Sequence, residues 1–100
     1  MKKINFNLYV YVKLTDKVIH KYIEDYNKQW IEYYKQNSKL DLKSLLKTFE
    51  EFKKQEENGY YKFQIWVFLE DFGKYFGFGT GGLPLEDGNL YFKTEDLEKV

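Results

Sequence analysis

Few side chains in this sequence are equipped for chemistry. His20 is the single histidine, Ser38 and Ser44 are the two serines, and cysteine is absent. Those counts leave no set of nucleophile, base and orienting group, no histidine metal site, and no thiolate zinc or disulfide. The hexapeptide GFGTGG, Gly77 to Gly82, has glycines that would let backbone N–H groups close around an anion. Its context is wrong for the known versions: a dinucleotide fingerprint opens a helix and a P-loop ends in Gly-Lys-Ser/Thr, whereas Leu83-Pro84 follows here. A plain turn is the cheaper explanation. Asp71-Phe72-Gly73 spells a kinase metal motif, yet the chain is too short for that fold and lacks its catalytic loop. Glu70-Asp71 and Glu86-Asp87 are acid pairs of the kind that meet around Mg²⁺, although adjacent acids flanking a loop usually face solvent. The expectation is a protein without catalytic residues, metal or cofactor.

Aromatic residues are the abundant resource, at 21% of the chain. Tyr9, Tyr11, Trp30, Tyr33, Tyr34, Tyr60, Tyr61 and Trp66 are of the type that stacks on bases or a nucleotide ring. Core packing and protein interfaces use the same residues and account for them at less cost. Every basic residue is lysine, arginine and alanine are missing, and the formal net charge is zero. An A- and T-rich genome would produce that bias without any function. Its physical effect is to remove the planar fork used to read guanine, so sequence-specific DNA recognition is not expected. Residues 1–40 hold eight lysines and four acids, and residues 41–100 hold eight lysines and twelve acids. Such a dipole is able to guide self-association into a homo-oligomer or docking on a partner, though solvated faces also produce it.

The elements that must position these residues follow from periodicity. A chain of 100 residues makes one domain with one core. INFNLYVYVKL places Ile4, Phe6, Leu8, Val10, Val12 and Leu14 at period two, which predicts a strand with Tyr9 and Tyr11 on its other face. Thr15 is placed to cap a long helix on which Ile19, Tyr22, Ile23, Tyr26, Trp30, Tyr33 and Tyr34 recur at spacings of three and four. Asp41 is placed to cap a second helix with a stripe of Leu42, Leu45, Leu46, Phe49 and Phe52, ending at the left-handed signal Asn58-Gly59. KFQIWVFLEDF fits both a buried strand and a helix; the helix is favoured for its period and for a stop at Gly73. KYFGFG and NLYFK read as two strands joined by TGGLPLEDG with a turn at Asp87-Gly88, and Thr94 as the cap of a short last helix. The sum is an α+β fold, a small antiparallel sheet packed against two to three helices on one face. No apolar run approaches the roughly 18 residues of a membrane span, and no signal peptide is recognisable, so a cytoplasmic protein is expected.

The succession LYVYVKLTDK, GYYKFQIWVFLEDFGKYFGFG and NLYF resembles small proteins encoded in phages and prophages of Firmicutes. The likeness spans most of the chain and rests on pattern, not on catalytic motifs. It implies an accessory phage protein in the host cytoplasm, to which no established activity attaches. Such proteins commonly act by binding. The leading expectation is a stoichiometric inhibitor or adaptor of a host protein, for instance a defence nuclease such as a CRISPR effector. Tyr9, Tyr11, Trp30, Tyr34 and Trp66 are the expected partner-binding aromatics, with Glu70, Asp71, Glu86 and Asp87 as acidic contacts. Together with Glu95, Asp96 and Glu98, those acids would imitate a phosphate backbone if they shared a face. The alternative is a sponge for a nucleotide signal, built from Trp66, Tyr75 and the loop residues Gly77, Gly79, Thr80, Gly81 and Gly82. A structural or DNA-associated role is the third.

Overall fold

The computed structural model describes residues 2–3, 5–76, 85–96 and 98–99. In chain order the elements are β1 (Lys2–Lys3), β2 (Tyr9–Leu14), α1 (Asp16–Gln36), α2 (Leu42–Leu45), α3 (Phe49–Lys53), β3 (Tyr61–Gln64), α4 (Ile65–Phe72), a 3₁₀ turn (Gly73–Phe76), β4 (Leu85–Tyr91), a second 3₁₀ turn (Thr94–Asp96) and β5 (Glu98–Lys99). The main sheet has the order β3-β2-β4 with antiparallel neighbours, and β1 pairs with β5 in a separate ribbon. The fold is α+β, as the periodicities require.

Strand β2 is central because its alternation is clean. Val10, Val12 and Leu14 are almost fully buried, and Tyr9, Tyr11 and Lys13 occupy the opposite side. The strand starts at Tyr9, later than the pattern predicts. Asn5 explains the delay: its side-chain oxygen accepts from the Asn7 N–H at 2.8 Å and its carbonyl from the Leu8 N–H at 2.9 Å, so residues 5–8 turn. Phe6 is consequently 67% exposed instead of joining the core, and Ile4 lies outside the described residues.

Helix α1 begins as expected, with Thr15 Oγ1 accepting from the Val18 N–H at 3.2 Å. Its buried residues, Val18, Ile19, Tyr22 and Ile23, all lie in its first half, and Tyr26 and Asn27 are the last to pack or bond against the rest of the fold before the exposed end. A helix of 21 residues is about 30 Å long, so its second half runs past the sheet. The radius of gyration is 15.9 Å, against about 13 Å for a compact chain of this length.

The second helix is broken in two, which the apolar stripe did not predict. Asn27 on α1 takes both backbone groups of Lys47: its Nδ2 donates to the Lys47 carbonyl and its Oδ1 accepts the Lys47 N–H, each at 2.8 Å. A backbone paired in this way cannot continue an α-helical ladder. The chain restarts one residue later, with Thr48 Oγ1 capping α3 through the Glu51 N–H. Asp41 makes no side-chain cap. Of the predicted stripe only Phe52 is buried. The helix ends at Lys53 and not at the expected Asn58-Gly59, because Asn58 (φ 54°) and Gly59 (φ 87°) instead form a two-residue hairpin turn, with Glu57 and Tyr60 exchanging both backbone bonds.

The ambiguous segment uses both templates in succession, strand β3 and then helix α4. Gln64 provides no side-chain cap, and the unsatisfied first N–H groups of α4 are met by main chain instead. Ile65 donates to the Leu8 carbonyl at 2.9 Å and Trp66 to the Phe6 carbonyl at 3.2 Å. Gly73 does not stop the helix: its φ and ψ of −55° and −37° are helical and the chain tightens into the 3₁₀ turn. The strand expected over KYFGFG is therefore absent at Lys74, Tyr75 and Phe76, and its remainder lies outside the described residues. Strand β4 starts earlier than expected, taking in the predicted loop residues Leu85–Gly88. Leu90 faces Val12 and Leu85 faces Leu14, so four residues of β4 lie opposite Lys13 alone. Asp87-Gly88 thus forms a bulge in the strand, with Gly88 at φ 72°. The predicted last helix is a single 3₁₀ turn at Thr94.

Phe72 is fully buried, and its ring meets those of Tyr22, Phe52, Phe63, Phe68 and Tyr75 at centroid distances of 4.7 to 6.4 Å. Phe72→Ala is expected to lower stability by about 3–5 kcal/mol, and Asn27→Ala by about 1–3 kcal/mol for the two lost hydrogen bonds. Urea unfolding followed by circular dichroism measures both. An Asn27→Ala protein as stable as the parent would show that the clamp is not what breaks the helix. Tyr61 carries a buried hydroxyl with no hydrogen-bond partner of normal geometry. Tyr61→Phe should leave the melting temperature unchanged or raise it.

Candidate binding surface

The core takes one side of the sheet, and α1, α3 and α4 bury their apolar residues there with Val10, Val12, Leu14 and Tyr61. The opposite side follows from the register. Tyr11 lies between Lys62 of β3 and Tyr91 of β4, and Tyr9 lies opposite Gln64. Tyr60, one residue before β3, reaches over toward Tyr91, and their rings meet edge to face at 5.3 Å. Lysines alternate with these rings. Lys62 Nζ lies 4.2 Å from the Tyr9 ring centre, Lys13 Nζ 5.1 Å from Tyr60, and Lys93 Nζ 5.4 Å from Tyr11. Asp87 marks the rim, bonded to the Tyr91 hydroxyl and to the Asn89 N–H. These bonds lower the Asp87 pKa, so the carboxylate is ionised at neutral pH.

An apolar patch continues from the Tyr9 end. Trp66 donates its indole N–H to the Gln64 side chain at 3.1 Å, and Gln64 also reaches the Asn7 carbonyl at 3.4 Å. The backbone bond from Trp66 to Phe6 brings that ring's residue alongside, and Leu69 stands one helical turn further along α4. Phe6, Trp66 and Leu69 are 67%, 47% and 49% exposed. Phe76 is also exposed, with its ring edge on Phe68.

The structure thus brings together Tyr9, Tyr11 and Trp66 of the expected partner-binding residues, with Asp87 beside them. It places Trp30 and Tyr34 elsewhere, on the overhanging half of α1, where Trp30 packs edge-on between Tyr26 and Tyr33. Glu70 and Asp71 line a cleft between α1 and α4 with Tyr22, Asp25, Tyr26 and Lys74. Glu86 and Asp87 belong to the β4 bulge. Among the described residues no group of three His, Cys, Asp or Glu side chains is arranged to hold a metal. Tyr75 is buried and donates to Asp25 at 2.7 Å. The glycine loop from Gly77 to Gly82, including Gly79, Thr80 and Gly81, lies outside the described residues.

The cleft gathers charged groups, of which Asp25 is paired most closely. Asp25 receives the Tyr75 hydroxyl and pairs with Lys21 at 3.4 Å and Lys74 at 3.5 Å. Burial opposes its ionisation, but these partners outweigh burial and hold its pKa below the usual carboxylate range. Lys47 donates to the Tyr22 hydroxyl at 2.7 Å and lies 4.1 Å from the Tyr26 ring centre. Burial raises the pKa of Asp71 against the attraction of Lys47. His20 is stacked on Phe49 at 4.0 Å.

Sequence reasoning missed Tyr91 and the three lysines of the outer face. A signal exists in YKFQ and YFK, where lysine or tyrosine alternates with buried aromatics, but it gains meaning only once the register is known. Among the described residues no helix is long and apolar enough to cross a membrane. No family model, curated protein or solved structure matches this chain.

Tyr75 and Tyr61 contribute stability that alkaline pH removes. Burial first, then for Tyr75 the Asp25 carboxylate, raises both pKa values above the ordinary tyrosine value, which is about 10. The unfolded chain therefore loses these protons first. The stability they contribute is complete below about pH 10 and is lost as pH rises toward the folded values. The urea midpoint should fall above about pH 10, and less steeply in Tyr75→Phe. A midpoint flat from about pH 8 to 11 would contradict the assignment.

Proposed function

We propose that the protein acts by stoichiometric binding and not by catalysis, as a phage-type accessory protein that docks on a host protein as inhibitor or adaptor. The observation that carries this is the exposed apolar patch of Phe6, Trp66 and Leu69. Large exposed apolar side chains close together on a small domain are what protein interfaces use, and a tryptophan fixed by its own hydrogen bond is a preorganised anchor. The phage-like pattern of the sequence supports a host target, and a defence nuclease, such as a CRISPR effector, is the first to test. A nucleotide sponge draws nothing from Tyr75, whose ring is in the core.

The test is capture from host lysate with the purified chain as bait, beside Trp66→Ala. One host protein should be recovered near equimolar yield and identified, and its activity should then be titrated with the chain. Trp66→Ala should weaken that complex by about thirtyfold or more, the loss of a central anchor. Equal binding by parent and variant would remove the patch from the interface. Failure to alter the target's activity or assembly would remove the inhibitor and adaptor roles.

A further inference from the structure

We propose that the outer face of the sheet binds single-stranded nucleic acid without sequence preference. The inference shares only Trp66 with the apolar patch and rests on the tyrosines and lysines of the sheet, so variants at Tyr9, Tyr11 and Lys62 test it apart from the host-protein proposal. Tyr9 and Tyr11 are two residues apart on one strand, so their rings are spaced about 7 Å apart along it, and Tyr91 and Tyr60 extend the row across the sheet. Trp66, held against Gln64 opposite Tyr9, adds a fifth ring at the end. Aromatic rings standing on a sheet face are a sequence-tolerant platform for unpaired bases, since every base has a π-face.

The charge on this face selects the occupant. Lys13, Lys62 and Lys93 each lie beside a ring, where an ammonium can move from the ring to a phosphate while a base takes the vacated surface. The base stack is the stronger of the two contacts to the ring. Lysine is a compact, strongly hydrated charge that suits phosphates and does not read base edges bidentately. A chain without arginine is therefore fitted to backbone and stack, not to sequence. A duplex hides its base faces and would use only the lysines. Ionised Asp87 closes the face on the β4 side, which directs a strand along Tyr11 and Tyr9 toward Trp66.

The experiment is fluorescence anisotropy of the full chain with a labelled oligothymidylate of about 15 nucleotides. A duplex of equal length and polyglutamate serve as competitors. The single strand should bind at least about tenfold more tightly than the duplex. The logarithm of affinity should fall with that of salt at a slope of about −2 for three lysine–phosphate pairs. Tyr9→Ala and Tyr11→Ala should each weaken binding about five- to hundredfold. Lys62→Gln and Lys93→Gln should each reduce the slope by about 0.7, and Tyr33→Ala on α1 should change nothing. Circular dichroism confirms that each variant is folded, and the exposed lysine variants keep the test open if Tyr11→Ala is not. No binding at about 100 μM protein and about 50 mM salt overturns the proposal. So does equal affinity for the duplex, or displacement by polyglutamate at equal charge, which would assign the face to acidic protein.

Discussion

The ring of Phe72 is the point at which the molecule is tied together. It touches a ring from α1, from α3, from β3, from α4 itself and from the 3₁₀ turn that follows. A domain of this size has few side chains with which to fill an interior, and this chain has no alanine for fine adjustment. Large flat rings must therefore meet at their edges and faces, and the elements take their relative angles from those meetings. Strand β2 supplies the floor. Because successive side chains alternate, the same strand that offers Val10, Val12 and Leu14 to this cluster turns Tyr9, Tyr11 and Lys13 the other way.

That alternation divides the aromatic residues into two populations with different work. Tyr22, Tyr61 and Tyr75 are buried with the phenylalanines. Tyr9, Tyr11, Tyr60 and Tyr91 are gathered with lysines on the open side, where ammonium groups cover the rings of the first three. The arrangement keeps a concentrated aromatic surface hydrated.

Legibility in the sequence followed the range of the interaction. Strand β2, the Thr15 cap, the left-handed backbone at Asn58-Gly59 and the α+β class rest on local periodicity or on conformational preferences of one or two residues, and all are present, although Asn58-Gly59 turns a hairpin and does not end the helix. The break between α2 and α3 was hidden because it depends on Asn27, twenty residues away on another helix. The β4 bulge and the outer-face lysines depend on register, which no single strand contains. Gly73 misled because glycine permits a helical end without requiring one, and here the packing of Phe72 and Tyr75 carries the helical path through it. Of the candidate surface, Tyr9, Tyr11 and Trp66 were legible as aromatics off the core stripe, whereas their assembly into one surface was not.

Both tryptophans, Trp30 and Trp66, are outside the buried cluster, while three of the tyrosines are within it. The optical spectroscopy of this protein is consequently inverted from the usual case. With Trp66 about half exposed and Trp30 outside the core, indole emission is placed to respond to whatever settles on Trp66. Loss of the interior is registered instead by the tyrosines, through near-ultraviolet dichroism, so one sample reports occupancy and integrity in two separate bands.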